Sequence, residues 1–354
     1  MASPPTHLME LPRKILIGDG VISSLGEFVR DIGYAPSKIA FVTGNTVKKR
    51  ASGYCKSSFQ AMTIDDRWYV VVDSSMTSVN KLKNSLAKNV PDFIIGFGGG
   101  RSVDVAKMTA FQINKPFISV PTSASHDGIS SPFVSIRGSK KPYSVKANTP
   151  LGVLADTTLL SKAPVRLMAS GCGDLVAKIT AVKDWELARD EKNEYFGSYA
   201  ANLAYMSAKI ILNESKKLQF RSKSGIRIVV EALISAGVAS CIAGSSRPCS
   251  GAEHLFSHAI EYIIGQNYGL HGERVGIGTI MMAKLHNVDW EVIVETLERV
   301  GAPTKAKQIR LNEQQIVISL LAAQSLRPDR YTILSKANLN KSSALELARS
   351  VKVI

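Results

Sequence analysis

Three of the six histidines in the chain fall between positions 254 and 271, in the stretches GAEHLFSHAIEY and GLHGERVG. His254 and His258 are four residues apart, so on a helix they share one face, one turn from each other. His271 follows where Gly269 and Gly272 predict a loop ahead of a helix starting near residue 274. Upstream, SGCGDLVAKITAVKDWELA predicts a helix over 172–190 with Asp174 at its start, its carboxylate exposed by the glycines on either side of Cys172. An Asp there also suits an N-cap, and a helical histidine also suits a packed interior. Taken together, one carboxylate and two imidazoles with an open fourth position are the donor set of a catalytic rather than a structural zinc site. Spacing leaves open which two histidines ligate.

A second constellation is IIGFGGGRSVDVAK. Gly98, Gly99 and Gly100 let the backbone approach a ligand with no Cβ in the way. A helix starting at about Ser102 turns its free N–H groups and positive end toward the same place, which suits a pyrophosphate. The usual dinucleotide fingerprint, G-x-G-x-x-G after the first strand with an acid about 20 residues on, is absent. PTSAS closes the next strand, and its hydroxyls and N–H groups are expected to line the same crevice.

These residues need a scaffold that brings strand ends to a helical layer. KIAFVTG (38–44), WYVVVD (68–73), DFIIGFGGG (92–100) and PFISVPTSAS (116–125) read as buried strands, separated by amphipathic segments such as 77–89. That alternation predicts a parallel, doubly wound sheet, which binds ligands beyond the carboxyl ends of its strands. Extended pieces follow at 133–136, 143–147 and 152–156. After about Pro164 helical periodicity takes over: 172–190, 196–216, 225–243, 252–264, 274–287, 289–299 and 312–324. The expected architecture is an α/β domain over residues 1–163 and an all-α domain over 164–354. There is no internal repeat.

Composition narrows the class. With 354 residues, 45% of them hydrophobic, the chain can bury two ordinary cores. No uninterrupted apolar run reaches the roughly 18 residues of a membrane span, and the N-terminus lacks the plan of a signal peptide, so the expectation is a cytoplasmic protein without integral membrane association. Cys55, Cys172, Cys241 and Cys249 are dispersed without a C-x-x-C pair and read as reduced thiols. The net charge of +15 would suit nucleic acid, an anionic surface or phosphorylated small molecules. Its densest clusters, VKKR (47–50) and GSKKPYSVK (138–146), lack the interleaved aromatics of single-strand binders, so no nucleic-acid partner is expected.

GFGGGRSVDVAK, PTSASHDGISSP, GCGDLVAK, GAEHLFSHAIE and HGERVGIG, in this order, resemble the archaeal-type sn-glycerol-1-phosphate dehydrogenases. Those enzymes sit within the superfamily of iron-containing alcohol dehydrogenases, glycerol dehydrogenases and dehydroquinate synthases. The resemblance runs from IGDGVISSLG to RPDRYTIL, essentially the whole chain, and implies a dehydroquinate synthase-like fold. It implies that Gly100, Arg101, Ser102, Val103 and Asp104 form the nucleotide turn, that Thr122, Ser123, Ala124 and Ser125 continue it, and that Ser131 also meets the cofactor. It implies one zinc ion per subunit on Asp174, His254 and His271, with Asp127 and His258 facing substrate. The implied reaction is reduction of dihydroxyacetone phosphate by NADH or NADPH to sn-glycerol 1-phosphate, the glycerophosphate backbone of archaeal membrane lipids. Metal polarises the ketone, hydride arrives at C2, and a metal-bound water or His258 relays the proton. A homo-oligomer is also implied.

Two details concern ligand charge. Arg327 and Arg330, in LRPDRYTIL, are candidates for the substrate phosphate. After FVTG comes Asn45, where an Asp or Glu would bind the ribose 2′-hydroxyl of NAD and repel a 2′-phosphate, and Lys48, Lys49 and Arg50 follow. NADPH is therefore expected to be accepted, alongside NADH. The competing readings are a glycerol dehydrogenase acting on an unphosphorylated substrate, against which SHDGISSP stands, a dehydroquinate synthase, whose own motifs are missing, and a basic binding protein that keeps the fold without activity.

Overall fold

The computed structural model describes residues 7–59, 64–138 and 144–354. The side chains of Arg50 and Cys55, and residues 139–143 of the second basic cluster and of the strand expected over 143–147, lie outside the described residues.

Six parallel strands form one sheet: β1 (Lys14–Gly18), β2 (Lys38–Thr43), β3 (Asp65–Val70), β4 (Phe93–Gly98), β5 (Phe117–Pro121) and β8 (Gly152–Asp156), in the order β1-β8-β5-β4-β2-β3. A small antiparallel hairpin, β6 (Phe133–Ser135) with β7 (Ser144–Lys146), stands apart. Alternation along the central strands sends residues to opposite faces, each roofed by helices. Phe41, Ile95, Phe97 and Val120 pack on one side, under α1 (Leu25–Asp31). Val42, Ile94 and Phe117 pack on the other, under α3 (Met76–Ala87) and α4 (Gly100–Gln112). From β3 the chain crosses back over β2 to β4, then continues away to β5, so the order reverses between β2 and β4. Ligand crevices form at such a switch point. Opening onto it are α4 and α2 (Asn45–Ser58), which begins where β2 ends.

The edge strands depart from the sequence reading. β3 spans Asp65–Val70 rather than 68–73, because its register is set by β2, which pairs Lys38 with Asp65 and Thr43 with Val70. An edge strand tolerates the charged Asp65, Asp66 and Arg67 that hide its start. β1 was not anticipated at all; it is the opposite edge, paired only to β8.

The second half is helical, as expected. It runs through α5 (Thr157–Leu160), α6 (Val165–Val176), α7 (Lys178–Lys192), α8 (Ser198–Glu214), α9 (Lys223–Ala243), α10 (Ala252–Ala259), α11 (His271–Leu285), α12 (Trp290–Arg299), α13 (Glu313–Leu326), α14 (Ile333–Ala337) and α15 (Lys341–Ser350). The last two were not anticipated. Both are short, and α15 is launched by an Asn340 cap that accepts from Ser342 and Ser343 N–H. A π-helical turn, Ile260–Ile264, continues α10. By length and hydropathy α9 is the one described helix that could cross a bilayer, a feature its Arg227 and Glu231 obscured in the sequence. Here it packs in the helical core, with Val229, Val230, Leu233 and Ala236 fully enclosed. Cys172, Cys241 and Cys249 are buried free thiols.

Candidate metal centre and nucleotide cleft

The backbone decides where the acid goes. Asp174 does not start a helix. It lies in the last turn of α6 and is 1% exposed, so the expected N-cap position and exposed carboxylate are both corrected. Gly171 and Gly173 are not loop residues either. A Cβ on Gly171 would overlap Ala124 O, one on Gly173 would overlap Gly272 O, and one on Gly272 would overlap Ser170 O. Gly173 and Gly272 let α6 and the first turn of α11 touch backbone to backbone, and Gly171 does the same for α6 and the loop after β5, where any larger residue would hold them apart. For the same reason α11 begins at His271 rather than near 274, with Gly272 inside it and the Gly272 N–H satisfied by Ser170 Oγ at 3.1 Å.

That contact, with α10 alongside, joins three side chains from distant parts of the chain. Asp174 Oδ1 lies 3.2 Å from His254 Nε2 and 3.8 Å from His271 Nε2, and the three donor atoms fall within 4.8 Å of one another. Ligands held about 2.1 Å from a tetrahedral ion lie about 3.4 Å apart, so the donor triangle is of a size to hold a single metal ion. Glu253 Oε1 accepts from His254 Nδ1 at 2.8 Å, which fixes the ring and leaves Nε2 as the ligating nitrogen. The set of one oxygen and two nitrogens leaves a fourth position toward the cleft, and the residues fit a catalytic metal. His258 stays outside the triangle: its ring is 6.2 Å from that of His271, and it opens on the cleft from the next turn of α10.

A buried ion network supports the triangle. Lys178, fully enclosed, places Nζ 3.1 Å from Asp174 Oδ1 and 2.7 Å from Asp127 Oδ2. Asp127 N–H also donates to Asp174 Oδ2 at 3.0 Å, tying the substrate-loop acid to the metal acid. Burial alone would raise the Asp174 carboxyl, but Lys178 and the hydrogen bond from His254 reverse this and hold it well below the ordinary range. Burial likewise opposes the Lys178 charge, yet Asp127 and Asp174 keep its ammonium above the usual lysine value. Burial, reinforced by His254 and Arg274, drives His258 down to about 3, so its imidazole is neutral. Burial also pushes His271 well below its ordinary value, which keeps it in its ligating form.

Across a cleft of about 760 Å³ stands the glycine turn. α4 starts at Gly100, two residues earlier than expected, with Gly99 in extended backbone ahead of it. β4 and β5 run in register, Gly98 beside Pro121, so their ends leave the sheet side by side as the motifs required. Of the expected nucleotide residues, Gly100, Arg101, Ser102, Asp104, Ser123, Ser125 and Ser131 line the cleft. Val103 and Ala124 turn into the core instead, and Thr122 N–H is bound to Gly98 O at 2.9 Å. Asn45 opens on the cleft at the head of α2, while Lys48 and Lys49 are exposed further along that helix.

Neither arginine proposed for the phosphate lines the cleft. Arg330 is buried and holds Ser250 O at 2.6 Å and Ser246 Oγ at 2.9 Å, bracing the loop ahead of α10. Arg327 pairs with Asp329 at 3.3 Å. Arg274, unremarked in the sequence, does line the cleft, tied to Ser257, Gly269 O and Glu261. Lys107 was also missed; from inside α4 its ammonium donates to Gly128 O, Ser131 O and Phe133 O at 2.6, 2.6 and 2.9 Å, fastening the Asp127 loop to the nucleotide helix. Of these, only the Asp174/Lys178 pair, at i and i+4 of GDLVAK, carried a local signal.

Comparison with known proteins agrees with this fold. The iron-containing alcohol dehydrogenase family matches residues 16–164. A protein of Nitrosopumilus maritimus named glycerol-1-phosphate dehydrogenase (NAD(P)+) is 52% identical over 351 residues, covering 99% of this chain and 98% of that one. Its namesakes in Cenarchaeum symbiosum and Methanosarcina acetivorans are 51% and 43% identical, each covering 98% of this chain and 96% of theirs. Among solved structures, a probable glycerol dehydrogenase from Sinorhizobium meliloti superposes with a TM-score of 0.80 at 17% identity, covering 98% of both chains. The glycerol dehydrogenase of Schizosaccharomyces pombe gives 0.79 at 20% identity, covering 98% of this chain and 91% of that one. At such identities these two speak for the fold alone.

Proposed function

The chain belongs to the glycerol-1-phosphate dehydrogenases, and on that premise we propose how its cleft performs their reaction. It is an NAD(P)-dependent oxidoreductase that reduces dihydroxyacetone phosphate to sn-glycerol 1-phosphate; the ketone is what remains when the secondary carbinol of that product gives up a hydride from carbon and a proton from oxygen. The observation that carries the site assignment is the meeting of Asp174, His254 and His271 on one wall of a cleft whose other wall is a glycine turn and a helix start. Residues 1–163 are assigned to the cofactor and 164–354 to metal and substrate.

When bound, zinc at Asp174, His254 and His271 supplies Lewis-acid polarisation of the ketone, and the nicotinamide supplies the hydride. The protein's own contribution is to fix charges and orientations. Glu253 orients His254, and Lys178 bridges the carboxylates of Asp127 and Asp174 and so helps hold the buried Asp174 in its ionised form. Asp127 presents its carboxylate to a substrate hydroxyl. His258 meets the substrate as a neutral imidazole, a hydrogen-bonding neighbour and one member of a proton relay rather than a store of acid. The N-terminus of α4 takes the pyrophosphate, and Asn45, carrying no negative charge, admits a 2′-phosphate, so NADPH is used as well as NADH. Tyr199, Met206 and Ile210, exposed along one face of α8, support a homo-oligomer. A cytoplasmic location goes with this reading, since both reactants are charged small molecules.

The test is to measure bound metal by elemental analysis and then compare NADPH oxidation with dihydroxyacetone phosphate and with plain dihydroxyacetone. The expected result is a zinc-containing protein that strongly prefers the phosphorylated ketone and loses activity on chelation. Equal rates with both ketones would remove the phosphate specificity, and full activity after thorough chelation would remove the metal.

A further inference from the structure

His126 stands between the two walls of the cleft, and the reading above gives it no part. Its ring lies 6.3 Å from that of His271, centroid to centroid. On its other side, Nε2 occupies the space that a side chain on Gly100 would fill. The ring also fills the place of a side chain on Gly128, where a Cβ would sit 2.5 Å from Nδ1 and Cε1. A side chain at either glycine would displace the imidazole from this place.

The hydrogen bonding assigns the tautomer. Gly128 N–H donates to Nδ1 at 3.0 Å, so Nδ1 is the acceptor and Nε2 carries the hydrogen. That Nε2–H has no hydrogen-bond partner among the described residues, and the residue lines the cleft. It sits over the first turn of α4, whose free backbone N–H groups face the same space. One turn further along α4, the Asp104 side chain is 4% exposed and its Oδ1 has no hydrogen-bond partner among the described residues; burial raises its carboxyl above the ordinary value. Accepting from Gly128 N–H at Nδ1 draws electron density from the ring and strengthens Nε2–H as a donor.

We propose that His126 donates its Nε2–H to a phosphate oxygen bound over the start of α4. The proposal rests on the dehydrogenase reading, because both reactants of that reaction carry phosphate: the pyrophosphate of the nucleotide and the phosphomonoester of the substrate. The recognising chemistry is the same for either, a phosphate oxygen accepting from a neutral imidazole beside backbone N–H groups.

Two variants separate the sources. His126→Phe keeps a ring and removes the donor; His126→Gln keeps an N–H near the position of Nε2. For each, NADPH affinity is measured by fluorescence titration, KM is measured for dihydroxyacetone phosphate and for dihydroxyacetone, and inorganic phosphate is tested as an inhibitor, with metal content and Tm alongside. If the substrate's phosphate is the acceptor, His126→Phe raises KM for the phosphorylated ketone roughly 10- to 100-fold, weakens inhibition by inorganic phosphate as much, and leaves NADPH affinity unchanged. If the nucleotide's pyrophosphate is the acceptor, NADPH affinity falls by that factor while the preference between the two ketones stays as it was. In either case His126→Gln recovers most of the loss. Wild-type binding of both reactants by His126→Phe overturns the proposal, as does equal damage in both variants with metal and Tm retained. Should the Phe variant fail to fold, His126→Ala, which removes the donor without bulk, carries the same expectations. A wild-type protein that ignores the substrate's phosphate would sink the dehydrogenase specificity instead, and the NADPH arm would still judge His126.

Discussion

The two walls of the cleft are made of different material. The wall from the sheet is mostly backbone: a glycine turn, a helix start and hydroxyls at two adjacent strand ends. The wall from the helices is mostly buried charge: Asp174, Lys178, Glu253 and His254, each paired with another. The first depends on atoms that are missing, since a Cβ at Gly100 would dislodge His126. The second depends on atoms that are present and matched, since a buried ion without its partner is costly. Substitutions on the first wall should therefore change affinity with little effect on stability, and substitutions on the second should change stability, metal content or both.

The largest effect is expected from His254→Ala. It should abolish metal binding and reduce activity to background, while NADPH affinity stays within about twofold because the other wall is untouched. Elemental analysis and a fluorescence titration check this, and a parallel collapse of NADPH binding would erase the distinction between the walls.

Lys178→Met comes next. With Asp127 and Asp174 left facing each other without the ammonium between them, the metal-free protein should lose about 3–5 kcal/mol of stability, read by chemical denaturation. A loss below about 1 kcal/mol would mean that the network is not under electrostatic load.

Gly173→Ala sharpens the point, because it adds to the helical wall the kind of defect expected to matter on the sheet wall. Its Cβ meets the backbone carbonyl of Gly272, which cannot retreat without moving His271. A destabilisation of about 1–3 kcal/mol is expected together with weaker metal binding; unchanged metal affinity would show that α6 and α11 tolerate separation.

The smallest effect is expected from Asn45→Asp on the sheet wall. NADPH affinity should fall roughly tenfold relative to NADH, with Tm unchanged, because the new carboxylate opposes a 2′-phosphate at an exposed helix start. An unchanged cofactor ratio would place the 2′-position elsewhere.

Legibility follows the same division. The sheet wall could be read because its signals are local: IIGFGGGRSVDVAK carries strand, turn and helix start within one short stretch, and the β4–β5 pairing then brings PTSAS alongside. Even there, the side chains of Val103 and Ala124 turn into the core, since adjacent residues in a motif point in different directions once it folds. The helical wall was legible in its residue types but not in its geometry. Gly171 and Gly173 read as exposing the Asp174 carboxylate and Gly272 as part of a loop, whereas in the fold all three admit a neighbouring backbone. That neighbour comes from residues far along the chain, which no local pattern contains.

The sequence by itself determined the residue types of the site, the alternation of strand and helix that sets the class of fold, and the shared helix face of His254 and His258, because each depends on residues close together in the chain. Only the tertiary structure decided that Asp174 is buried at the end of a helix, that His254 and His271 rather than His258 share its oxygen, that Lys178 binds two carboxylates at once, and that His126 lies over Gly100. Each of these is set by how closely separate elements approach, and that distance is fixed by packing, by the few positions where a missing Cβ lets backbones meet, and by the need to pair every buried charge.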